Sequence, residues 1–408
     1  MIRQTMLCVV ALALPMLGAA ADVPKAAAKG ATTAPWVELP GLPAGCDGVV
    51  RALLPLADGR IAIGGSFSAC GGVPVANIAL WQPTTGTFAA LGAGVGAGQA
   101  PVIPAVSALA RIGDGLFVGG SFAEAGGVAV RNIARHDLVT GAWTPLGSAP
   151  ADGVGGEVLA LAAQGTSLFV GGDFSDIAGA TARHFARFDA AGGAWVALAT
   201  RPDGPVRALA VAGTGVFVGG DFSSAGTVSS ARIARFDSGS GTWSALGTGV
   251  DGRVHAIAVR GDTVFVGGAF RTAGGVPANL LAAYATTGGT WSALSRGAGQ
   301  GLEGGSLFLR SVRALAVAEG ELLASGDFTV ADRGLARYVA RVDVRSGAWN
   351  PLGLGDAEGM DGPGLAIAVS ERRAILGGGF RRAGGAACSG LAAVLAPEGL
   401  FADGFEAP

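Results

Sequence analysis

Four side chains at equivalent places in a repeating pattern have the chemistry to hold an anion: Arg51, Arg207, His255 and Arg313. Ser107, Leu159 and Leu365 fill the same position elsewhere in the pattern. Guanidinium groups converging on one end of a scaffold bind a carboxylate through paired hydrogen bonds. The plainer expectation is that these arginines solvate a rim, or pair with acids such as Asp47, Asp203 and Asp251. Asp173, Asp221 and Asp327 recur just ahead of a loop. A catalytic carboxylate pair for glycoside cleavage occurs once, whereas an acid that bonds its own loop's amides recurs, and that role is expected here. Asp137, Asp189, Asp237 and Asp343, each before a glycine-containing turn, carry the same expectation. His136, His184 and His255 fall in three different repeats, so no metal centre is expected from them. Neither a calcium loop nor a phosphate-binding loop nor a nucleophile elbow occurs in its required setting, and no catalytic residue or cofactor is assigned.

The elements that position these residues come from a repeat. Phenylalanines at 67, 122, 174, 222, 270, 328 and 380 each follow a glycine two residues earlier, at spacings of 48 to 58 residues. The unit around Phe222 predicts four strands, Val206–Val211, Val216–Phe222, Ile233–Asp237 and Trp243–Leu246, with Ser223–Ala231 as a loop. Alanines recur on the first strand (Ala52, Ala108, Ala160, Ala208, Ala256, Ala314, Ala366), while bulk sits on the fourth (Phe88, Trp143, Trp195, Trp243, Trp291, Trp349). Small inside and large outside describes a wedge, and seven such wedges make an all-β, seven-bladed β-propeller of four-stranded antiparallel blades. The seventh unit lacks its fourth strand. Trp36-Val37-Glu38-Leu39 is the preferred closing segment, an N-terminal strand completing the last blade; Phe401, at the right offset but without the following leucine, is the alternative.

Composition bounds the rest. The chain of 408 residues is 50% hydrophobic and only 14% charged, with mean hydropathy +0.49, as expected of strands covered on both faces. A net charge of −2 excludes a nucleic-acid footprint. Residues 1–21 read as a cleaved signal peptide ending at Ala21, 22–35 as an Ala-rich linker, 36–396 as the propeller and 397–408 as a tail. Prolines and glycines interrupt the long uncharged stretch from Ile61 to Ala110, so no membrane insertion is expected. Of the cysteines after the leader, Cys46 and Cys70 are the preferred disulfide, with Cys46–Cys388 as the alternative and the remaining thiol buried.

The Gly-Gly pairs closing the second strand, and an aromatic seven residues before a tryptophan (Phe188 and Trp195, Phe236 and Trp243, Tyr284 and Trp291), resemble kelch and galactose-oxidase-type propellers. The G-G-x-F-x-x-A-G-G-V loop is similar to repeats of fungal cortical polarity proteins and bacterial secreted surface proteins. The last residues, Phe401 to Glu406, are similar to terminal tags on exported proteins of some Gram-negative bacteria. The resemblance implies the fold and no enzyme motif: the oxidases' copper centre needs two tyrosines, two histidines and a linked cysteine together, whereas Tyr284 and Tyr338 stand in different blades. The expected function is therefore non-enzymatic binding of an unknown protein or glycan, in the periplasm or outside the cell. Recognition would use the face that carries the loops after strand two and before strand one, including the insertions Gly92 to Ala105 and Ser295 to Ser311. The alternatives are an enzyme acting on an extracellular polymer such as a polysaccharide, with Glu157, Asp173 and Asp221 near the channel, and a structural component of a surface assembly.

Overall fold

Val206–Ala212 pairs with Gly215–Gly220, that strand with Ile233–Asp237, and that one with Trp243–Ala245, all antiparallel. These strands match the predicted unit to within two residues, because apolar runs bounded by glycine turns mark them. The structure is a computed structural model that describes residues 36–37, 39–97, 103–147, 153–294, 301–304, 310–318, 320–332, 334–350, 352, 359–370 and 373–395. The predicted signal peptide, linker and tail, with Phe401, lie outside the described residues.

Among the described residues, seven sheets repeat this order from inner to outer strand. Numbered in chain order as blades 1 to 7, their inner strands are Val49–Pro55, Ala105–Ile112, Val154–Gln164, Val206–Ala212, Arg253–Arg260, Val312–Ala318 and Gly364–Ser370. Each inner strand touches the next, and that of blade 7 touches that of blade 1, so they form a closed ring around a central channel. The chain closes the ring from its N-terminal side: Trp36 pairs with Val394 and Val37 with Ala393, making Trp36–Val37 the outer strand of blade 7. Capping Leu391–Leu395 in this way leaves no long unpaired edge there.

Blades pack through a glycine on one and a valine on the next. A Cβ on Gly64 would collide with Val106, on Gly171 with Val206, and on Gly377 with Val50. The alanine column keeps the inner edge thin beside these contacts. At the outer edge, indole N–H groups tie each blade to its predecessor. Trp143 Nε1 donates to the Leu91 carbonyl, Trp291 to Leu246, Trp349 to Leu294 and Trp36 to Leu352, at 2.8–3.0 Å. Each such bond contributes on the order of 1 kcal/mol. Blade 1 has Phe88 at this place and no N–H to donate. Its seam with blade 7 is filled instead by Leu39 and Leu42, packed with Phe88, Cys46 and Cys70 in one buried cluster. Cys46 and Cys70 form a disulfide, and Cys388 is a buried free thiol, so the preferred pairing holds.

Two features depart from the sequence reading. The segment expected as loop after strand two holds a small hairpin, Ser224–Ala225 with Val228–Ser229 in blade 4. In blade 1 its turn is Gly71-Gly72, with φ of 58° and 78°; positive φ at both central residues is what a two-residue hairpin turn of this hand requires. The second feature is a left-handed residue ten positions after each phenylalanine: Asn77, Asn132, His184, Arg232, Leu280, Tyr338 and Gly390, with φ between 60° and 71°. Each donates its N–H to the phenylalanine carbonyl, and its own carbonyl accepts from the conserved-in-repeat glycine two residues before that phenylalanine, as in Asn77 with Phe67 and Gly65. Asn suits the position because it tolerates this conformation and bonds further: Asn77 Oδ1 accepts from the Phe67 amide, and Nδ2 donates to the Val95 carbonyl. Arg232→Asn is accordingly expected to stabilise blade 4 by about 1 kcal/mol, read as a higher urea midpoint. An unchanged or lower midpoint would contradict this account.

Candidate functional site

A β-bulge aims the candidate residues. In blade 1 the inner-strand register jumps between Val50 and Ala52, leaving Arg51 opposite nothing. The same jump leaves Leu159, Arg207, His255, Arg313 and Leu365 unpaired on their strands, and Ser107 falls at the corresponding break in blade 2. The consequence is geometric. Residues two apart on a strand share a face, yet Val50 packs against Gly377 of blade 7 while Ala52 lies on the side where Gly64 meets Val106 of blade 2. The bulge has switched the strand's faces, so the residue between belongs to neither and is turned toward the ring axis. All seven bulges stand at the end of the inner strand where the loops before strand one and after strand two emerge.

The column is not used evenly. Arg207, His255 and Arg313 occupy consecutive blades, and their charges are felt at one point: burial first, then Arg313, Arg207 and Arg253, push the His255 pKa down to about 3, with Asp221 opposing. Arg253 was not anticipated; it lies two residues before His255 on the same strand. Arg51 stands apart, exposed, between Leu365 and Ser107 in ring order. The structure thus brings three of the four predicted residues together and leaves the fourth on another part of the wall.

The acids do not play the parts expected of them. Asp221 accepts from Arg253 Nε at 2.8 Å, and Asp327 accepts from Arg313 Nε at 2.9 Å and the Ser311 hydroxyl at 3.2 Å. Asp173 lies 3.7 Å from His184 Nδ1. These three were predicted to bond loop amides; Asp221 and Asp327 are instead held in ion pairs with arginines. The loop amides are held by the acids predicted as arginine partners. Asp203 Oδ1 accepts from the Ser223 and Ser224 amides, and Asp47, Asp251 and Asp361 do the same in blades 1, 5 and 7. The reason is position: these acids stand just before the inner strand, directly beneath the hairpin, where both loop amides point at one carboxylate oxygen. Partial burial opposes ionisation of Asp203, but the Ser223 hydroxyl and these amides hold its carboxyl down to about 2. The turn acids behave as predicted, with Asp137 Oδ1 accepting from the Val139 and Thr140 amides.

Loops gather above this end of the ring. The described parts of the two insertions add strands to the hairpins there, Val95–Gly96 beside Glu124–Ala125 and Leu302–Glu303 beside Val330–Ala331. An open groove of about 670 Å³ runs between blades 1 and 2, lined by Phe67, Pro74, Val75, Gly92, Ile103 and Pro104. Among the described residues no group of three His, Cys, Asp or Glu side chains is placed to hold a metal ion.

Comparison with known proteins agrees on the fold. The profile of a β-propeller domain of unknown function, DUF5122, matches residues 56–80, 167–192 and 216–242, within blades 1, 3 and 4. The extracellular domain of a putative hybrid two-component system from B. thetaiotaomicron is similar over 88% of this chain, with TM-score 0.56 and 12% identity. A corresponding extracellular domain of a putative one-component system from the same organism is similar over 89%, with TM-score 0.53 and 13% identity. The present chain spans 39% and 40% of those two chains. A chain of the mitotic checkpoint complex, 14% identical with TM-score 0.53, is covered in full and matches 94% of this one. No curated protein sequence matches. Sheet order, ring closure and these likenesses together establish an all-β protein of the β-propeller fold.

Proposed function

We propose that the chain is an exported, non-enzymatic β-propeller of kelch-like repeat type that binds a protein or glycan outside the cytoplasm. The binding face is the channel mouth where the bulge column and the hairpin loops meet. The observation that carries this reading is the convergence of Arg207, His255 and Arg313 on one stretch of that mouth, below loops that a rigid ring holds in place. The Cys46–Cys70 disulfide supports an oxidising compartment. The fold shared with extracellular domains of sensor proteins fits the same compartment, while a shared fold does not carry their signalling over. Of the carboxylates in the polymer-cleaving alternative, Asp221 is engaged in an ion pair with Arg253, which weakens that reading.

Affinity capture tests the reading. The purified protein and an Arg207/Arg313→Ala variant are exposed to envelope extract and culture medium, and retained material is identified by mass spectrometry. A protein or glycan held by the parent and lost by the variant is expected. Equal retention by both moves the interface to the loops away from the channel. Retention of further copies of the same chain favours the structural-assembly alternative, and polysaccharide cleavage in the same samples favours the enzyme.

A further inference from the structure

The wall of the channel carries its polar and apolar bulge residues in separate arcs. In ring order they are Arg51, Ser107, Leu159, Arg207, His255, Arg313 and Leu365. The run Arg207-His255-Arg313 is therefore bracketed by two leucines, one on blade 3 and one on blade 7.

The arginines of this run are not all paired. Arg207, Arg253 and Arg313 surround His255, and Asp221 and Asp327 pair with two of these three arginines. Both carboxylates are engaged by Nε of Arg253 and of Arg313. Arg207 is the one left over: no carboxylate among the described residues pairs with it, and its Nε is buried without a hydrogen-bond partner. The imidazole between the two guanidiniums stays neutral at ordinary pH and keeps an N–H to donate. A buried guanidinium N–H without an acceptor carries a cost, and the half-buried Arg207 has no carboxylate beside it among the described residues to offset that cost.

We propose that this stretch of wall is a binding site for a small monocarboxylate bearing an apolar group. Its carboxylate lies against the Arg207 guanidinium with the His255 N–H beside it, and its apolar part lies toward Leu159. A single carboxylate gives Arg207 the partner that Arg253 and Arg313 already have, and planar paired donors suit it. The flanking leucines disfavour a fully hydrated ion such as phosphate. This deepens the reading of the channel mouth as a binding face and rests on it.

Hexanoate is the probe, with acetate and inorganic phosphate for comparison, at constant ionic strength. The chain has three histidines, so the His255 ring signal in a labelled sample is assignable by its loss in His255→Asn. Hexanoate is expected to move that signal saturably, and more tightly than acetate. Arg207→Gln should weaken binding about tenfold or more, the loss typical of a hydrogen bond to a charged group. Arg51→Gln should leave it unchanged. If Arg207→Gln does not fold, Leu159→Ser replaces it and should bring hexanoate down to the level of acetate. No movement of the His255 signal, equal binding by the Arg207 variant, or phosphate binding as tightly as hexanoate would each overturn the site. Silence toward hexanoate with a partner still captured removes this site and leaves the broader reading standing. Hexanoate binding without any captured partner does the reverse.

Discussion

Trp36→Ala combined with Leu39→Ala is expected to cost about 5 kcal/mol of unfolding free energy, a large part of what a single domain possesses. The cost has three sources. Trp36 donates its indole N–H to the Leu352 carbonyl, so blade 7 loses its outer tie to blade 6. Leu39 is 5% exposed and shares a cluster with Leu42, Ile375 and Leu391, so truncation leaves a cavity where blades 7 and 1 meet. With its short partner weakened, Leu391–Leu395 becomes a long apolar edge, which invites aggregation as well as opening. Urea unfolding followed by tryptophan fluorescence measures the effect. Phe401→Ala is the informative control, because the place beside Leu391–Leu395 is already occupied by Trp36–Val37; its midpoint should match the parent. A large loss from Phe401→Ala and none from the N-terminal pair would contradict the observed closure.

Breaking the Cys46–Cys70 bond should cost about 3 kcal/mol, the chain-entropy value for a loop of this length. The two cysteines are separated by 24 residues and also pair through a backbone bridge. Their loop is tied to both sides of the seam: the Cys46 amide donates to the Ser389 carbonyl of blade 7, and the Asp47 amide to Ala69 of blade 1. This is also the blade junction where Phe88 offers no indole N–H; at the corresponding places Val250–Ala273 and Met360–Ala383 are joined by a backbone bridge alone. Cys46→Ser/Cys70→Ser, or the parent in reductant, should unfold at lower urea by equal amounts. Cys388 gives an internal check. Burial, and then the Asp361 charge, push its thiol pKa up to about 11, so it should resist alkylation until the chain unfolds. Rapid alkylation of Cys388 in the folded protein, or equal stability with and without the disulfide, would contradict this picture.

The sequence alone determined the repeat, the strands and the small-inside, large-outside taper. These are statements about which side chains recur, and periodic recurrence is visible in one dimension. It also narrowed the closure to Trp36 or Phe401 and the disulfide to two pairings. The choice in each case belonged to the tertiary structure, because it depends on which distant segment reaches a given strand or loop. Three further features were hidden for a related reason. The left-handed column runs through Asn77, His184, Arg232, Leu280 and Gly390, residues with nothing in common except φ. Backbone hydrogen bonds to the phenylalanine and glycine of the same blade impose that φ, so the residue type carries no signal. The roles of Asp203 and Asp221 were exchanged because sequence distance from the loop ranks them wrongly; the strand fold-back brings the more distant acid under the amides. The bulge at Arg207 and His255 shows in the sequence only as a break in alternation, yet it sets the direction of every side chain on the channel wall. Ring closure then puts those side chains from blades 4, 5 and 6 into one field, about fifty residues apart in the chain and adjacent in space.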